Sequence, residues 1–531
     1  MDISIFEIIG PVMLGPSSSG TAGMARLGKA AHYFLDAPLK SIDLKFHPRF
    51  HHYAGLRSHV ALIGGVLGLE THDPALRNAL DMAKKQNIRC TSSWFKPPYP
   101  EDAHTVQLTM TQIDGQVRTV LGASTGGGMI EVYSIDGFEV KLLSTERYLF
   151  VWAAQDISEQ LSSLLPTQSE IQKFNKDGRY LLYAGIPETV GGSLAEQIQR
   201  IEGIERVTFT EPFLEYGFVP HEPFFSSCEE LMHLSEKTGK DIPELTLEYE
   251  MQRSGRTRDE ILATMQECLG YMRECAENGV KSERSTLFGL GGGDAKRMYD
   301  AVLAGKTIGG SLLGRAIARS IGVMETGMSM NRVVAAPTGG SAGIVPGAFL
   351  SVQEEYGYTD EMLVKGLLVA SAMGVIMYYR HTIFSGQAGG CQSEIGVSSA
   401  IAAAGLAYMA GGDTQACCEA MALSLKNMLG LICDPIGGCT EVPCIKRNGV
   451  GVANAFTGCD LALAGIVSRV SPDHVIDALV NTKNHLPAAL RGGAGGLPCS
   501  SESKEYEENT KQINKDMMLE PLEDLPAESA H

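Results

Sequence analysis

The chain of 531 residues has no run of lysine or arginine, and its 44 basic residues face 62 acidic ones, a formal net charge of −18. Binding nucleic acid needs a basic surface to meet phosphate, so no nucleic-acid partner is expected, nor a DNA-binding sensor. A small acidic substrate needs only a local patch of donors and stays open. The opening MDISIFEIIGP places Asp2 and Glu7 where a secretory signal would be basic, and it lacks a long apolar core. Clean membrane spans are missing too. IGGSLLGRAIA and GLLVASAMGVIMYY are short or interrupted by charge, so both are expected as buried helices, with no membrane partner and no transporter. The glycine-rich pieces never form GxGxxG between a strand and a helix, which removes a dinucleotide site, and no pyridoxal phosphate lysine motif is recognisable. Twelve cysteines without a secretory signal are not a disulfide framework, and a reducing cytoplasm is the natural setting.

Three of those cysteines lie in glycine-rich breaks of an apolar stretch: Cys391 in GQAGGCQSE, Cys433 in GLICDPIGG and Cys444 in EVPCIKRN. Their spacing matches neither the compact ferredoxin run nor a paired-cysteine zinc site, so they would meet only if separate loops converge. Two readings stand. Three thiolates on a four-iron cluster would leave one iron free to act as a Lewis acid on a hydroxyl leaving group; alternatively these are ordinary buried cysteines of an Ala- and Gly-rich core. The adjacent Cys417 and Cys418 project about 100 degrees apart on a helix and are read as core, as is Cys439.

Residues 1–211 alternate in the manner of strands. HTVQLTMTQ and QVRTVLGAS flank the turn Asp114-Gly115 as a hairpin, and MIEVYSI, FEVKLLS, RYLLYAGI and GIERVTFTEP continue the pattern, with a helix around Ser193 to Arg200. Residues 212–244, with several Pro, Ser and acidic residues, are read as a linker. Residues 245–500 can be written almost wholly as helix. The fold class is therefore an α+β N-terminal domain followed by a larger all-α catalytic domain. Residues 501–531 hold nine carboxylates against three lysines and are expected as a solvated acidic tail.

The segment from Cys391 to Asn448, together with NRVVAAPTGGSAGIVPG at Asn331–Gly347 and LGPSSSGTAG at Leu14–Gly23, resembles the iron-sulfur-dependent L-serine dehydratases in the form where two halves are fused in one chain. The likeness extends from near the N-terminus to about Cys499. It implies an oxygen-sensitive 4Fe-4S cluster held by Cys391, Cys433 and Cys444, dehydration and deamination of L-serine to pyruvate and ammonia, and a homodimer. In some relatives a cysteine near the C-terminus occupies the open iron at rest, and Cys499 in GGLPC stands in that place.

On this resemblance the N-terminal half binds substrate and assembles the protein, with Ser17, Ser18, Ser19 and Thr21 offering hydroxyls and amides to a carboxylate. Thr338, Gly339, Gly340 and Ser341 form a second anion loop, and Arg447 and Asn448 orient the site. Catalytic candidates are Ser341, His59 and Lys446, the base being unassigned. Glu394 is a supporting carboxylate. Asp294, in GGGDAK, reads equally as an N-cap. The family carries a histidine where this chain has Gly20, and its Gly-His-Gly-Thr-Asp segment is not reproduced near His59. His51, His52, Arg57 and His59 are expected to take over that work or else to form a polar loop. The departure keeps open an L-cysteine desulfidase, or a dehydratase of another beta-hydroxy acid, using the same cluster.

Overall fold

A computed structural model describes residues 3–50, 55–95, 104–142, 147–166, 169–186, 192–212, 224–493 and 495–517. Strand β1 (Val12–Leu14) comes first and is followed by β2 (Leu39–Phe46), β3 (Arg89–Trp94), β4 (Thr105–Gln112), β5 (Val117–Gly126), β6 (Met129–Ile135) and β7 (Phe138–Leu142). The sheet they build has the order β3-β2-β4-β5-β6-β7. Four of these strands are the hairpins read from the sequence. The exception to antiparallel pairing is β2 with β3, joined through the helices Ser58–Val66 and Ala79–Lys85, as a parallel pair requires. Helices Gly23–His32 and Ser58–Val66 pack on each other with almost no gap: a Cβ on Gly28 would lie 2.2 Å from the Leu62 carbonyl oxygen, and one on Gly65 2.0 Å from that of Ala25.

A second sheet follows from β8 (Arg147–Ala153), β9 (Gln172–Lys176), β10 (Arg179–Ile186) and β11 (Ile204–Phe209), in the order β11-β8-β10-β9. The period-two alternation of β8 divides its side chains between two cores. Tyr148, Phe150 and Trp152 face the larger sheet and its helices. Leu149, Val151 and Ala153 face the helices Ser158–Leu164 and Gly192–Gln199.

From residue 228 onward the chain is helical except for β12 (Arg332–Val334), which pairs antiparallel with β1. The N-terminal half is thus α+β and the C-terminal half almost entirely α-helical, as the sequence patterns indicate. Helices Asp360–Tyr379 and Ile395–Met409 are apolar on every side because they lie inside the others. The first is long and apolar enough to cross a membrane by composition alone, yet 78% of its most apolar window is buried within the protein.

Two stretches differ from their sequence description. Residues 212–244 contain the helix Cys228–Thr238, capped by Ser227 and buried through Cys228 and Leu231. The acidic stretch begins as the helix Ser501–Met517; Ser503 near its start is buried and donates to the Leu497 carbonyl at 2.9 Å. In the second, the other side chains of residues 501–509 are exposed or half-exposed, so the acidic stretch is helical yet largely solvated.

The first residues of the chain belong to the helical half's core, where Ile3, Ile5, Phe6, Ile8 and Ile9 are buried. Glu250 fastens them: its carboxylate accepts from Ser4 Oγ at 2.8 Å and the Ile5 amide at 3.1 Å, and from Arg253 at 2.9 and 3.1 Å. Arg253 and Glu250 are both fully buried. Glu250→Ala strands the guanidinium and two donors, and should destabilise the helical half by about 3–5 kcal/mol, read as a lowered denaturant midpoint followed by far-UV dichroism.

Candidate active site

The three thiols arrive from three different backbone settings. Cys391 opens a short 3-10 turn after Gly390, whose φ of +79° suits glycine. Cys433 is held between residues 490 and 492, its amide donating to Leu490 and its carbonyl accepting from Gly492. Cys444 begins the helix Cys444–Leu463. All three are buried, and the thiols of Cys433 and Cys444 interact with that of Cys391. Those two thiols donating, with Arg447 nearby, hold Cys391 well below the ordinary thiol range; Cys433 and Cys444, as donors to it in a buried place, are pushed up. Arg447 Nη1 lies 3.6 Å from Cys391 Sγ, 2.9 Å from the Ile432 carbonyl and 2.7 Å from Asp434 Oδ1. The other Asp434 oxygen accepts the Leu497 amide at 3.1 Å, so one carboxylate ties the counter-ion to the C-terminal segment.

Glu394 lies half-buried beside the thiols. Burial and then the Cys391 charge push its carboxyl up to about 7, against a hydrogen bond from Thr338. Two glycines let backbone approach it closely: a Cβ on Gly386 would sit 2.4 Å from its Oε2 and 3.0 Å from Cys433 Sγ, and one on Gly340 3.2 Å from its Oε1. Thr338 Oγ1 is in turn 3.0 Å from Ser341 Oγ. Asn448, one helical turn after Cys444, fixes this loop to the cysteine helix. Its Nδ2 donates to the carbonyls of Gly340 at 2.8 Å and Cys444 at 2.9 Å, and its Oδ1 accepts the Gly343 amide at 3.1 Å.

The serine loop of the N-terminal half meets this wall directly, since a Cβ on Gly339 would stand 2.9 Å from the Ser18 nitrogen. Ser17 Oγ accepts the Gly20 amide at 2.9 Å, Thr21 Oγ1 donates to Leu56 at 2.7 Å, and Ser18, Ser19 and Thr21 are buried. Thus Ser17–Thr21, Thr338–Ser341, Glu394, Asn448, Arg447 and the three cysteines form one neighbourhood. Gly20 has no room for a side chain, because Leu56 atoms would lie 2.5 Å from its Cβ. His59 is buried on the helix Ser58–Val66, which holds the serine loop through Ser58 and the Gly20 carbonyl. His51 and His52 lie outside the described residues.

Other candidates are placed elsewhere. Lys446 is half-exposed and pairs with Asp294 at 2.5 Å. Cys499 is exposed in the 3-10 turn Leu497–Cys499. Asp294 does not cap its helix: Gly293 occupies the N-cap, and the amides of Gly292, Asp294 and Ala295 go to the buried Glu325 carboxylate. Glu441 does the same for the preceding loop, accepting from Thr286, Phe288 and Leu290. Neither glutamate is marked by a local pattern; an acidic residue in an otherwise apolar segment was their one signal. Cys417, Cys418 and Cys439 are buried as expected of core cysteines.

Among the described residues no group of three or more His, Cys, Asp or Glu side chains is arranged around one metal ion. A cubane asks for something else, because each thiolate binds its own iron. Three buried thiols with a guanidinium beside them fit that donor requirement.

Comparison with known proteins defines the class of the helical half: residues 237–497 match the family Serine dehydratase alpha chain. The probable L-serine dehydratase alpha chain of Bacillus subtilis (strain 168) is 39% identical over 284 residues, 53% of this chain and 94% of the relative. The L-serine dehydratase alpha chain of Peptoniphilus asaccharolyticus is 36% identical over 51% of this chain and 93% of its own length. The L-serine dehydratase of Streptomyces coelicolor is 32% identical over 58% and 66%. The chain belongs to the L-serine dehydratase family, an enzyme family, and carries an α+β half ahead of the alpha-chain unit in one polypeptide.

Asn448→Ala would leave a buried amide and two carbonyls without their partner. A loss of about 1–3 kcal/mol is expected in the unfolding free energy of the helical half, measured by denaturant titration.

Proposed function

We propose that this protein is a 4Fe-4S-dependent lyase that converts L-serine to pyruvate and ammonia. The supporting observation is the convergence of Cys391, Cys433 and Cys444 in one buried place next to two hydroxyl- and glycine-rich loops, in a chain of this family. Cys391, Cys433 and Cys444 would hold the cluster, which when bound supplies a Lewis-acidic iron for the departing hydroxyl. Arg447 meets the negative charge that thiolates leave in a buried site, and Asp434 fixes its direction. The amides and hydroxyls of Ser17–Thr21 and Thr338–Ser341 receive the substrate carboxylate without introducing a second cation. Ser341 is the candidate base for the alpha proton, ordered by Thr338 and through it by Glu394; His59 acts by positioning the serine loop. Lys446, paired with Asp294, is left out of the chemistry. A reducing cytoplasmic setting and a homodimer belong to the same reading.

Anaerobic reconstitution followed by L-serine should release pyruvate and ammonia in equal amounts. Protein shown to contain four irons yet silent with L-serine would sink the serine assignment, and sulfide release from L-cysteine would replace it. Cys433→Ala should lose both turnover and the visible absorption of the cluster, whereas Ser341→Ala should keep the absorption and lower kcat by about 10²-fold or more.

A further inference from the structure

Residues 483–492 clasp two of the three cysteine loops. Where the helix Pro472–His485 ends, Lys483 Cγ lies 3.5 Å and Leu486 Cδ2 2.9 Å from where Cβ atoms on Gly389 and Gly390 would be, so the helix end rests on the two residues before Cys391. The chain then runs alongside Cys433. The Cys433 amide donates to the Leu490 carbonyl at 2.9 Å and the Gly492 amide to the Cys433 carbonyl at 2.6 Å, which pairs Cys433 with Arg491 in parallel.

Arg491 reaches both loops. Its backbone is paired with Cys433, and its Nη1 donates at 3.1 Å to the carbonyl of Ala388, three residues before Cys391. The side chain is half-buried and forms no ion pair among the described residues, so its guanidinium is committed to a backbone carbonyl rather than to a carboxylate. Ala388 belongs to the helix Gly386–Gly389, four residues long and followed by Gly390. A helix this short does not sustain itself, and its glycines add backbone freedom that contacts from outside must remove. After Cys391 those contacts come from Gln392, whose amide donates to the Leu431 carbonyl at 3.0 Å and whose Oε1 accepts the Gly430 amide at 2.8 Å. Before Cys391 the cap from Ser385 is internal to the loop, and Arg491 ties that side to Cys433.

We propose that Arg491 is a positioning residue for the cluster: by holding the Ala388 carbonyl while its own backbone pairs with Cys433, it sets the spacing of the Cys391 and Cys433 loops before any iron is bound. The purpose of the hold rests on the cluster reading above; the hold itself rests on the contacts of Arg491 alone. Outer contacts of this kind orient the groups that bind a metal and govern how well they keep it. Lys483 separates position from charge. Its ammonium has no hydrogen-bond partner among the described residues, and burial together with the Arg491 charge pulls it below the usual lysine range. Lys483 therefore brings a second positive charge to the same place without the bond to the loop.

The first readout needs no metal. In the full chain, reduced and free of iron, alkylation of Cys391 and Cys433 by iodoacetamide is followed by mass spectrometry of their peptides, with the buried core thiol Cys417 as internal reference. Arg491→Met is expected to speed alkylation of both thiols about tenfold or more while Cys417 stays within about twofold, because a buried thiol reacts through local opening. Arg491→Lys, which keeps the charge and one donor group, should fall between. Lys483→Met removes the neighbouring charge but keeps a stem to pack on Gly389, and should leave all three rates within about twofold. In the reconstituted chain, Arg491→Met should lose iron to a chelator about tenfold faster. Unchanged rates in Arg491→Met, an equal gain at Cys417, or an equal effect of Lys483→Met would each overturn the proposal. If the unaltered chain takes up no iron, the cluster reading falls by itself, and the thiol rates still decide whether Arg491 makes the hold.

Discussion

A carboxylate or thiolate buried among apolar helices must find its donors inside the protein, and that constraint organises the helical half. Glu250 draws in the chain's first residues, Glu325 and Glu441 fold the glycine-rich loop over residues 286–295, and Asp434 holds residue 497. Each acts at a place where no helix or sheet ladder would otherwise fix the backbone. The thiols carry the constraint furthest. With Cys391 favoured as thiolate and Glu394 alongside, Arg447 is consumed as counter-charge by Cys391 and Asp434. What is left beside them is neutral: loop amides and hydroxyls.

Close approach is the second condition, met by glycines whose Cβ would collide with backbone. On the helices Arg258–Gly279 and Gly310–Met328, Gly279 and Gly322 meet face to face, with 2.4 Å from a Gly279 Cβ to Gly322 backbone atoms. Gly343 lets its loop settle on the Ser320 carbonyl at 2.1 Å from where a Cβ would be. Such contacts leave helices such as Ile395–Met409 with no polar face, and the loops between them are what remains to carry chemistry. That is why Cys391 and Cys433 sit in breaks between helices and Cys444 at the first position of its own.

Much of this was legible in the sequence. The hairpins from β4 to β7 announced themselves by alternation and by Asp-Gly turns, and the helical half by apolar segments punctuated with glycine. The parallel β2–β3 pair was not, since its strands are separated by helices and set by a crossover rather than a turn. The β1–β12 pairing joins residues more than three hundred apart, beyond the reach of local pattern. Among the candidate residues, helical geometry separates the neighbours of Cys444. Residues 447 and 448 return to its face at three and four positions, whereas 446 falls on the far side, where Lys446 meets Asp294. Spacing on the cysteine helix already contained that distinction; a match to charged residues in a row obscured it.

The two halves settle buried charge by opposite means. In the helical half negative charge already crowds the site, so a free guanidinium would collapse onto a thiolate or carboxylate, and oriented amides are the stable donors. In the N-terminal half the carboxylates of Asp36 and Asp136 are fewer than the N–H groups that face them, and a sheet surface holds the guanidinium planes in place. Strand β5 joins the two regions. Its first residues line a cavity between the two sheets, Ser124 packs on Gly23 just after the serine loop, and Gly126 and Gly127 lie against Phe384 and Ser385. Ser385 caps the turn Gly386–Gly389 that leads to Cys391. About 30 Å of extended chain thus fixes the serine loop and the first cysteine to one rigid element, which explains how a site assembled from segments three hundred residues apart keeps a single geometry.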